Sequence, residues 1–404
     1  MLFQIAWRNI WRNKIRSLVV IGSILIGVWS ILFIVAFSSA MVGGYVKNAI
    51  QNETSHYQIH HPSFVEDKDV KFSLDNPAAV LAKVRETKSV KAATLRTVVN
   101  GMVRSSRGAR GITIRGIDPV QESLVTGFDS KLIEGKYFTE GRKNEIIISQ
   151  KIAKKLKLKL RKKVVLQFQD LNKDIVAGAF RIVGIYKTGN TIFDESMVAV
   201  KRTDLNTLMA KEGIAHEVAV LLDKKEDLVS TGDALKAGFP NLLVENYREI
   251  SPETQLYESQ IDISATIFTT IFMLALIFGI INTMLMAVLE RNRELGMLMA
   301  VGMNKGKVFT MIVLETLLLG IIAAPIGLFL GWATIQYFGG QGIDLGAFSA
   351  SMEQFGLSTK IYTELPTKYY WSLAVSVLIT ALIGSLYPAW KAIGLRPVEA
   401  IRKI

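Results

Sequence analysis

Three histidines crowd into six positions, His56, His60 and His61, and imidazoles this close invite a metal. Read as a strand, His56 and His60 share a face but stand about 13 Å apart, and their spacing fits no zinc pattern. No carboxylate partner accompanies them, so no metal site is expected. The run from Gly302 through Met303, Asn304, Lys305, Gly306 and Lys307 to Val308 resembles a phosphate-binding loop. It is one residue short between its glycines, places Val308 where the magnesium-binding hydroxyl belongs, and follows no strand. No serine, histidine and acid combination carries a hydrolase signature. Cysteine is absent, which excludes disulfides and thiolate chemistry. The expectation is a chain with no catalytic residue and no bound cofactor.

Two basic clusters remain. Lys151 to Lys163 is lysine-rich, but Ile152, Ala153, Leu156 and Leu158 interrupt it at helical spacing, as in a solvated face over an apolar one. Arg104, Arg107 and Arg110, with Gly108 and Gly111, read as a basic hairpin turn. Glu315 stands apart as an acid within an otherwise uncharged run, where carboxylates are buried or paired. Its place near the end of that run points to the membrane interface or to a neighbouring base, and to structural coupling rather than proton relay.

These residues have to be held by unusual elements. Half of the 404 residues are hydrophobic, a balance that suits a membrane protein with a sizeable aqueous domain. Four apolar runs reach the roughly 20 residues that a helix needs to cross the hydrocarbon core, at 18–41, 263–289, 308–338 and 369–390. The net charge of +13 is not a nucleic-acid signal, because +4 lies in residues 1–17, +2 in 290–307 and +3 in 391–404, all beside apolar runs. Positive-inside logic puts both termini and the segment 290–307 in the cytoplasm. The first run is too long for a secretory leader and lacks a clear cleavage site, so an uncleaved anchor is expected. Before it, 1–17 reads as an amphipathic surface helix with Arg8, Arg12 and Arg16 on one stripe and Phe3, Trp7, Ile10 and Trp11 on the apolar face.

Residues 42–262 are enough for one or two aqueous domains. β-rich runs at 56–60, 93–104, 111–117, 145–149, 164–169, 180–186, 197–200 and 217–222 alternate with helical patterns at 77–87, 150–158, 203–211 and 225–237. That mixed order predicts an α+β domain. Residues 247–262 read as a helix running straight into the second span, and 339–368 as a loop on the same side as the domain.

After the second span come Glu290-Arg291-Asn292-Arg293-Glu294-Leu295-Gly296, then Ala300-Val301-Gly302; near the C-terminus stand Tyr387-Pro388-Ala389-Trp390-Lys391-Ala392 and Arg396-Pro397-Val398-Glu399-Ala400-Ile401-Arg402. With Ala6-Trp7-Arg8-Asn9 and Lys14-Ile15-Arg16-Ser17 at the start, these resemble the motifs of the FtsX/MacB superfamily of ABC-transporter permeases, and the resemblance covers essentially the whole chain. Gly116-Ile117-Asp118-Pro119, Glu134 to Phe138, Glu145 to Ser149 and Phe180 to Ile185 resemble the lipoprotein-releasing type, LolC- and LolE-like, more than the macrolide-efflux type. Two departures stand out. Arg161-Lys162 replaces the customary Gly-Asp, and the hairpin at 170–179 lacks the prolines of a chaperone-recruiting hook, which leaves recruitment by this chain open.

The resemblance implies four transmembrane helices in a 1+3 arrangement around an α+β extracytoplasmic domain of the MacB periplasmic core type. It implies an inner-membrane, multi-pass subunit that is not itself an enzyme and works by mechanotransmission with a separate LolD- or MacB-like ATPase carrying ATP and Mg. A second permease would complete the complex as a homodimer or heterodimer, with lipoprotein as cargo. The coupling helix would run from Glu290 to Ala300: Glu290, Arg291, Arg293 and Glu294 at the rim of the ATPase groove, Leu295, Met297, Leu298 and Val301 as apolar contact, Gly296 and Gly302 for close approach and termination. Cargo would enter a cavity lined by Trp29, Phe33 and Phe37 of the first span and Ile267, Phe268 and Ile271 of the second; ordinary packing surface is the competing reading of these six. Gly320, Gly327, Gly331 and Pro325 would allow close packing and bending of the third span. Efflux of peptides or small molecules, and a signalling scaffold for a cell-wall hydrolase, remain the alternative functions.

Overall fold

The uncharged runs fold as helices because a backbone in hydrocarbon has to satisfy its own hydrogen bonds. In the computed structural model, which describes residues 2–354, 356–357 and 359–394, four helices are long and apolar enough to cross a membrane: Lys14–Thr54, Pro252–Glu290, Lys305–Gln341 and Thr367–Ile393. At about 1.5 Å per residue all four outrun a hydrocarbon core of about 30 Å. The chain divides into a helical unit, Met1–Ala40, Ser259–Asp344 and Lys360–Ile404, and a second unit, Met41–Glu258 and Leu345–Thr359.

In the helical unit the first and third spans meet along small residues. A Cβ on Gly327 would stand 2.9 Å from Val28 Cβ, and one on Gly331 would stand 2.5 Å from Leu32 Cδ1. Gly327 and Gly331 are four apart, the small-xxx-small spacing that brings helix backbones close in membranes. Ile24, Val28, Ile31, Leu32, Ile280, Met284, Ile312 and Ala323 belong to one buried cluster.

The second unit is α+β. Its strands are β1 Tyr57–His60, β2 Val90–Ser105, β3 Gly108–Ile117, β4 Leu132–Gly135, β5 Glu145–Ser149, β6 Lys163–Gln169, β7 Ile175–Tyr186, β8 Met197–Lys201, β9 Glu217–Leu222 and β10 Leu243–Asn246. They join in one sheet, ordered β10-β1-β9-β2-β3-β8-β5-β7-β4, with β6 bonded to both β2 and β7. The β6 pairing closes β2-β3-β8-β5-β7-β6 into a six-stranded barrel. Alternate residues fill it, because side chains on a strand alternate between faces: Val99, Ile112, Ile114, Ile146, Ile148, Val164, Leu166, Phe168, Phe180, Ile182 and Val198 form one buried cluster. Gly101 belongs to the same filling, since a Cβ there would lie 2.6 Å from Gln167 O. The other end of β2 leaves the barrel and pairs with β9, where β9, β1 and β10 pack with the helices Pro77–Glu86 and Leu228–Gly238 in a separate core.

Strands β4 and β10 and the helices Pro119–Thr126 and Thr191–Ser196 escaped the sequence reading, being four to eight residues long with weak periodicity. Residues 247–262 do not form one helix. Tyr247–Ile250 stops at Ser251, extended at φ −123°, and a new helix opens on Pro252. Proline disfavours helical backbone in the residue before it and suits the first turn of the next helix. The surface helix also ends early: it is Leu2–Arg12, with Asn13 as a break, so Arg16 belongs to the next helix.

Candidate coupling segment and membrane grooves

The short helix after the second span is Asn292–Ala300, not Glu290 to Ala300. Glu290 ends the preceding helix, and Arg291 leaves helical geometry at φ −99°, ψ 14°. Its side chain turns inward instead. Arg291 Nη1 lies 3.4 Å from both carboxylate oxygens of Glu315, and Nη2 donates to Asn9 O at 3.1 Å. Asn9 Nδ2 donates to Glu315 Oε1 at 2.5 Å. Glu315, 6% exposed, thus has a guanidinium and an amide donor, as a carboxylate in this setting requires.

Two further pairs flank this one: Arg12 with Glu294 and Arg16 with Glu290. Leu295 and Gly296 are buried against the helical unit, so they are not available to a partner. Met297, Leu298 and Val301 are exposed, Val301 at 85%. Gly302 turns the chain at φ +101°, and Asn304 caps the third-span helix by accepting from Gly306 N. What resembled a phosphate-binding loop is therefore a helix–turn–helix connection. Ile10 is buried while Phe3, Trp7 and Trp11 are exposed, so the apolar face of the surface helix splits between core and surroundings. Within the YPAWKA motif Pro388, Ala389 and Ala392 are buried, and Tyr387 and Trp390 lie outward. The motif Arg396 to Arg402 lies outside the described residues.

The six cavity candidates do not converge. Trp29, Phe33 and Phe37 stack in a ladder, with ring centroids 6.3 and 6.4 Å apart. The ladder leans on the third span: Phe33 meets Phe338 at 6.0 Å, and Trp29 Nε1 donates to Thr334 Oγ1 at 3.0 Å. Ile267, Phe268 and Ile271 are exposed on the outer face of their helix. A helix turns 100° per residue, so spans that meet along one stripe leave the others elsewhere, and apolarity alone does not choose the stripe. The grooves between the first and second spans are lined by other residues. One, of about 280 Å3, has Ser23, Gly27, Ala275, Leu276, Gly279 and Thr283. Another, of about 350 Å3 and reaching the fourth span, has Leu32, Val35, Thr266, Thr269, Thr270 and Ser376, with Asp262, Lys368 and Tyr369. Asp262 Oδ1 accepts from Lys368 Nζ at 2.7 Å and from Tyr369 Oη at 2.5 Å.

In the second unit, Arg96, Arg115, Glu122 and Glu217 are buried. Arg96, fully buried, donates to Glu122 through Nε at 3.0 Å and Nη2 at 2.8 Å, and to Glu217 through Nη1 at 2.5 Å. Burial opposes the charge on Glu217, but Arg96 and then Arg115 hold its carboxyl below the ordinary range. Arg115, lowered by burial and then by Arg96, donates to Asn52 O at 3.2 Å. Lys131, pushed down to about 8 by burial, reaches Gln51 O at 2.8 Å and Asn52 Oδ1 at 2.6 Å. Both cations thereby hold Ile50–Thr54, a π-helical turn that continues the first-span helix. At the start of the second-span helix Glu258 accepts from Lys225, Tyr247 and Arg248. A charged residue inside an apolar strand, as in Leu95-Arg96-Thr97, was the available signal. The lysine run behaves as a solvated face: Ile152, Ala153 and Leu156 are buried, and Lys154, Lys155 and Lys157 are exposed. His60 stacks on Phe64, which stacks on His216; among the described residues no group of three or more histidines and acids is placed to hold a metal.

Residues 17–237 match the family described as the MacB-like periplasmic core domain, and residues 266–397 match the FtsX-like permease C-terminal family. The chain belongs to the FtsX/MacB family of ABC-transporter permeases. It is 24% identical to the uncharacterized ABC transporter permease YknZ of Bacillus subtilis, over 99% of this chain and 98% of that one. It is 23% identical to the lipoprotein-releasing system transmembrane protein LolC of Xylella fastidiosa, over 72% of each chain. Similarity to an uncharacterized ABC transporter permease of Methanocaldococcus jannaschii is 25% over 55% of each chain, so that match spans about half of the relative's length.

Proposed function

We propose that this chain is the permease subunit of an inner-membrane complex that converts ATP hydrolysis on a separate ATPase into movement of its extracytoplasmic unit, releasing lipoproteins from the outer leaflet. The termini and the helix Asn292–Ala300 face the cytoplasm, one span precedes the large domain and three follow it, and a second permease completes the complex. ATP and Mg reside on the ATPase. The observation that carries this reading is the exposed apolar edge Met297, Leu298 and Val301 on a short helix directly after a span. An edge of this kind, beside charged residues, suits a groove on a soluble partner. The LolC likeness favours lipoprotein as cargo. Export of peptides or small molecules is the second reading, favoured by a likeness to the macrolide export ATP-binding/permease protein MacB of Mannheimia succiniciproducens, 23% identical over 99% of this chain and 60% of that one.

The test is co-purification of the tagged chain in detergent, with Val301→Glu as the variant. Val301 is exposed, so the change spares the core, whereas a substitution at buried Gly296 confounds folding with docking. Capture of an ATPase together with acylated proteins, with the ATPase lost in Val301→Glu, supports the proposal. An ATPase with an adaptor or a hydrolase but no acylated protein moves the function to export or signalling. Absence of any ATPase refutes the mechanism.

A further inference from the structure

The helix Asn292–Ala300 is nine residues long and bounded by non-helical Arg291 on one side and the turn through Gly302 on the other. Breaks at both ends let such a helix swivel without moving the spans beside it, so chain continuity is a poor transmitter of force. The ion pairs supply what the backbone lacks. Arg12 and Arg16 are four apart, as are Glu290 and Glu294, and they pair in opposite order, Arg12 with Glu294 and Arg16 with Glu290. Each set straddles a helix break, Asn13 between the arginines and Arg291 between the glutamates, so one rung ties the surface helix to Asn292–Ala300 and the other ties the first-span helix to the end of the second-span helix. Between the rungs and the third span, Arg291 joins Glu315 and Asn9 O, while Asn9 Nδ2 also holds Glu315. The set has three guanidinium groups and three carboxylates, so it is neutral without charge from lipid or partner. Leu295, Ala6 and Ile10 share a buried cluster with Val308 and Ile312 beneath it.

We infer that the surface helix Leu2–Arg12, together with Arg16 at the start of the first-span helix, is a yoke for the coupling segment: Asn9, Arg12, Arg16, Arg291 and Glu315 are positioning residues that make displacement of Asn292–Ala300 and of the Glu290 end of the second span move the first and third spans together. The inference rests on the permease reading above. It assigns these charges a role separate from ATPase docking, which falls to Met297, Leu298 and Val301.

The experiment uses the full-length chain with its co-purified ATPase, reconstituted in nanodiscs, and reads both ATPase stoichiometry and the rate of ATP hydrolysis. The variants are Arg16→Glu, Glu290→Arg and the double reversal, with Arg12→Glu and Glu294→Arg as a second set. Exposed pairs of this kind contribute little to folding, so the chains assemble. Each single reversal is expected to retain the ATPase at wild-type stoichiometry while hydrolysis in the complex falls about fivefold, and the double reversal is expected to restore it. Unchanged hydrolysis in the singles, or a double variant as impaired as either single, overturns the yoke. Loss of the ATPase from the single variants also overturns it, because the charges are then docking contacts. If the wild-type chain captures no ATPase, the permease reading itself falls and the yoke with it.

Discussion

Replacing Arg96 with methionine tests the buried charge cluster of the second unit. Arg96 satisfies Glu122 with two hydrogen bonds and Glu217 with a third, and all three side chains are nearly inaccessible. Methionine fills a similar volume but leaves two buried carboxylates without that partner. Removing one member of a buried ionic set costs about 3–5 kcal/mol; Arg115, also close in charge to Glu217 and Glu122, puts the expectation at the lower end. The sign of the pH dependence should also change. In the native chain Glu217 lies below its ordinary value, so its contribution is present above that value and is lost as pH falls. Without Arg96, burial dominates and the folded-state value rises above the unfolded one. The destabilisation is then greatest at high pH and is relieved as the carboxyl takes up a proton. Hydrogen exchange of β2 and β9 in the purified full-length chain, at pH 5.5 and 8, reads both effects. The triple variant Arg96→Met, Glu122→Gln, Glu217→Gln should recover most of the loss, since neutral side chains need no counterion. A cost below about 1 kcal/mol, or a pH slope like the native one, would refute the reasoning.

Leucine at Gly327 should separate the first and third spans, because even its Cβ falls 2.9 Å from Val28 Cβ and 3.1 Å from Leu25 O; a cysteine cross-link between the two helices, efficient in the parent, should fail. Acid should loosen the β1–β9 region. Burial keeps His60 and His216 below their ordinary value, and burial with Lys225 brings His56 to about 4. These rings are neutral when folded, so stability present above about 6.5 is lost as pH falls toward about 4, and exchange protection at Tyr57–His60 should drop over that window. Filling a membrane groove with Ala275→Trp should cut cargo release in vesicles several-fold, while Ile267→Ala, on the outer face, should leave it near wild type; the reverse order would place the cargo path elsewhere.

Residue order by itself set much of this protein. The uncharged runs specified four helices, because the requirement that a backbone in hydrocarbon bond to itself leaves few other forms. Alternation in Val164, Leu166 and Phe168 announced a one-sided strand, and the motifs from Glu290 to Gly302 announced the family. Other features needed the folded chain. Barrel closure depends on β6, the hairpin neighbour of β7, also finding β2, a pairing between residues more than 60 apart that no local periodicity encodes. Which stripe of a uniformly apolar helix meets its neighbour was settled by close packing at Gly327 and Gly331, and that turned the aromatic ladder toward Phe338. The charges of the coupling segment looked like a rim for a partner, yet Glu290, Arg291 and Glu294 close on Arg16, Asn9 and Arg12 from the other end of the sequence. Sequence spacing fixes which residues share a face; only tertiary contact decides what that face meets, because burial and charge pairing act between residues that are distant in the chain.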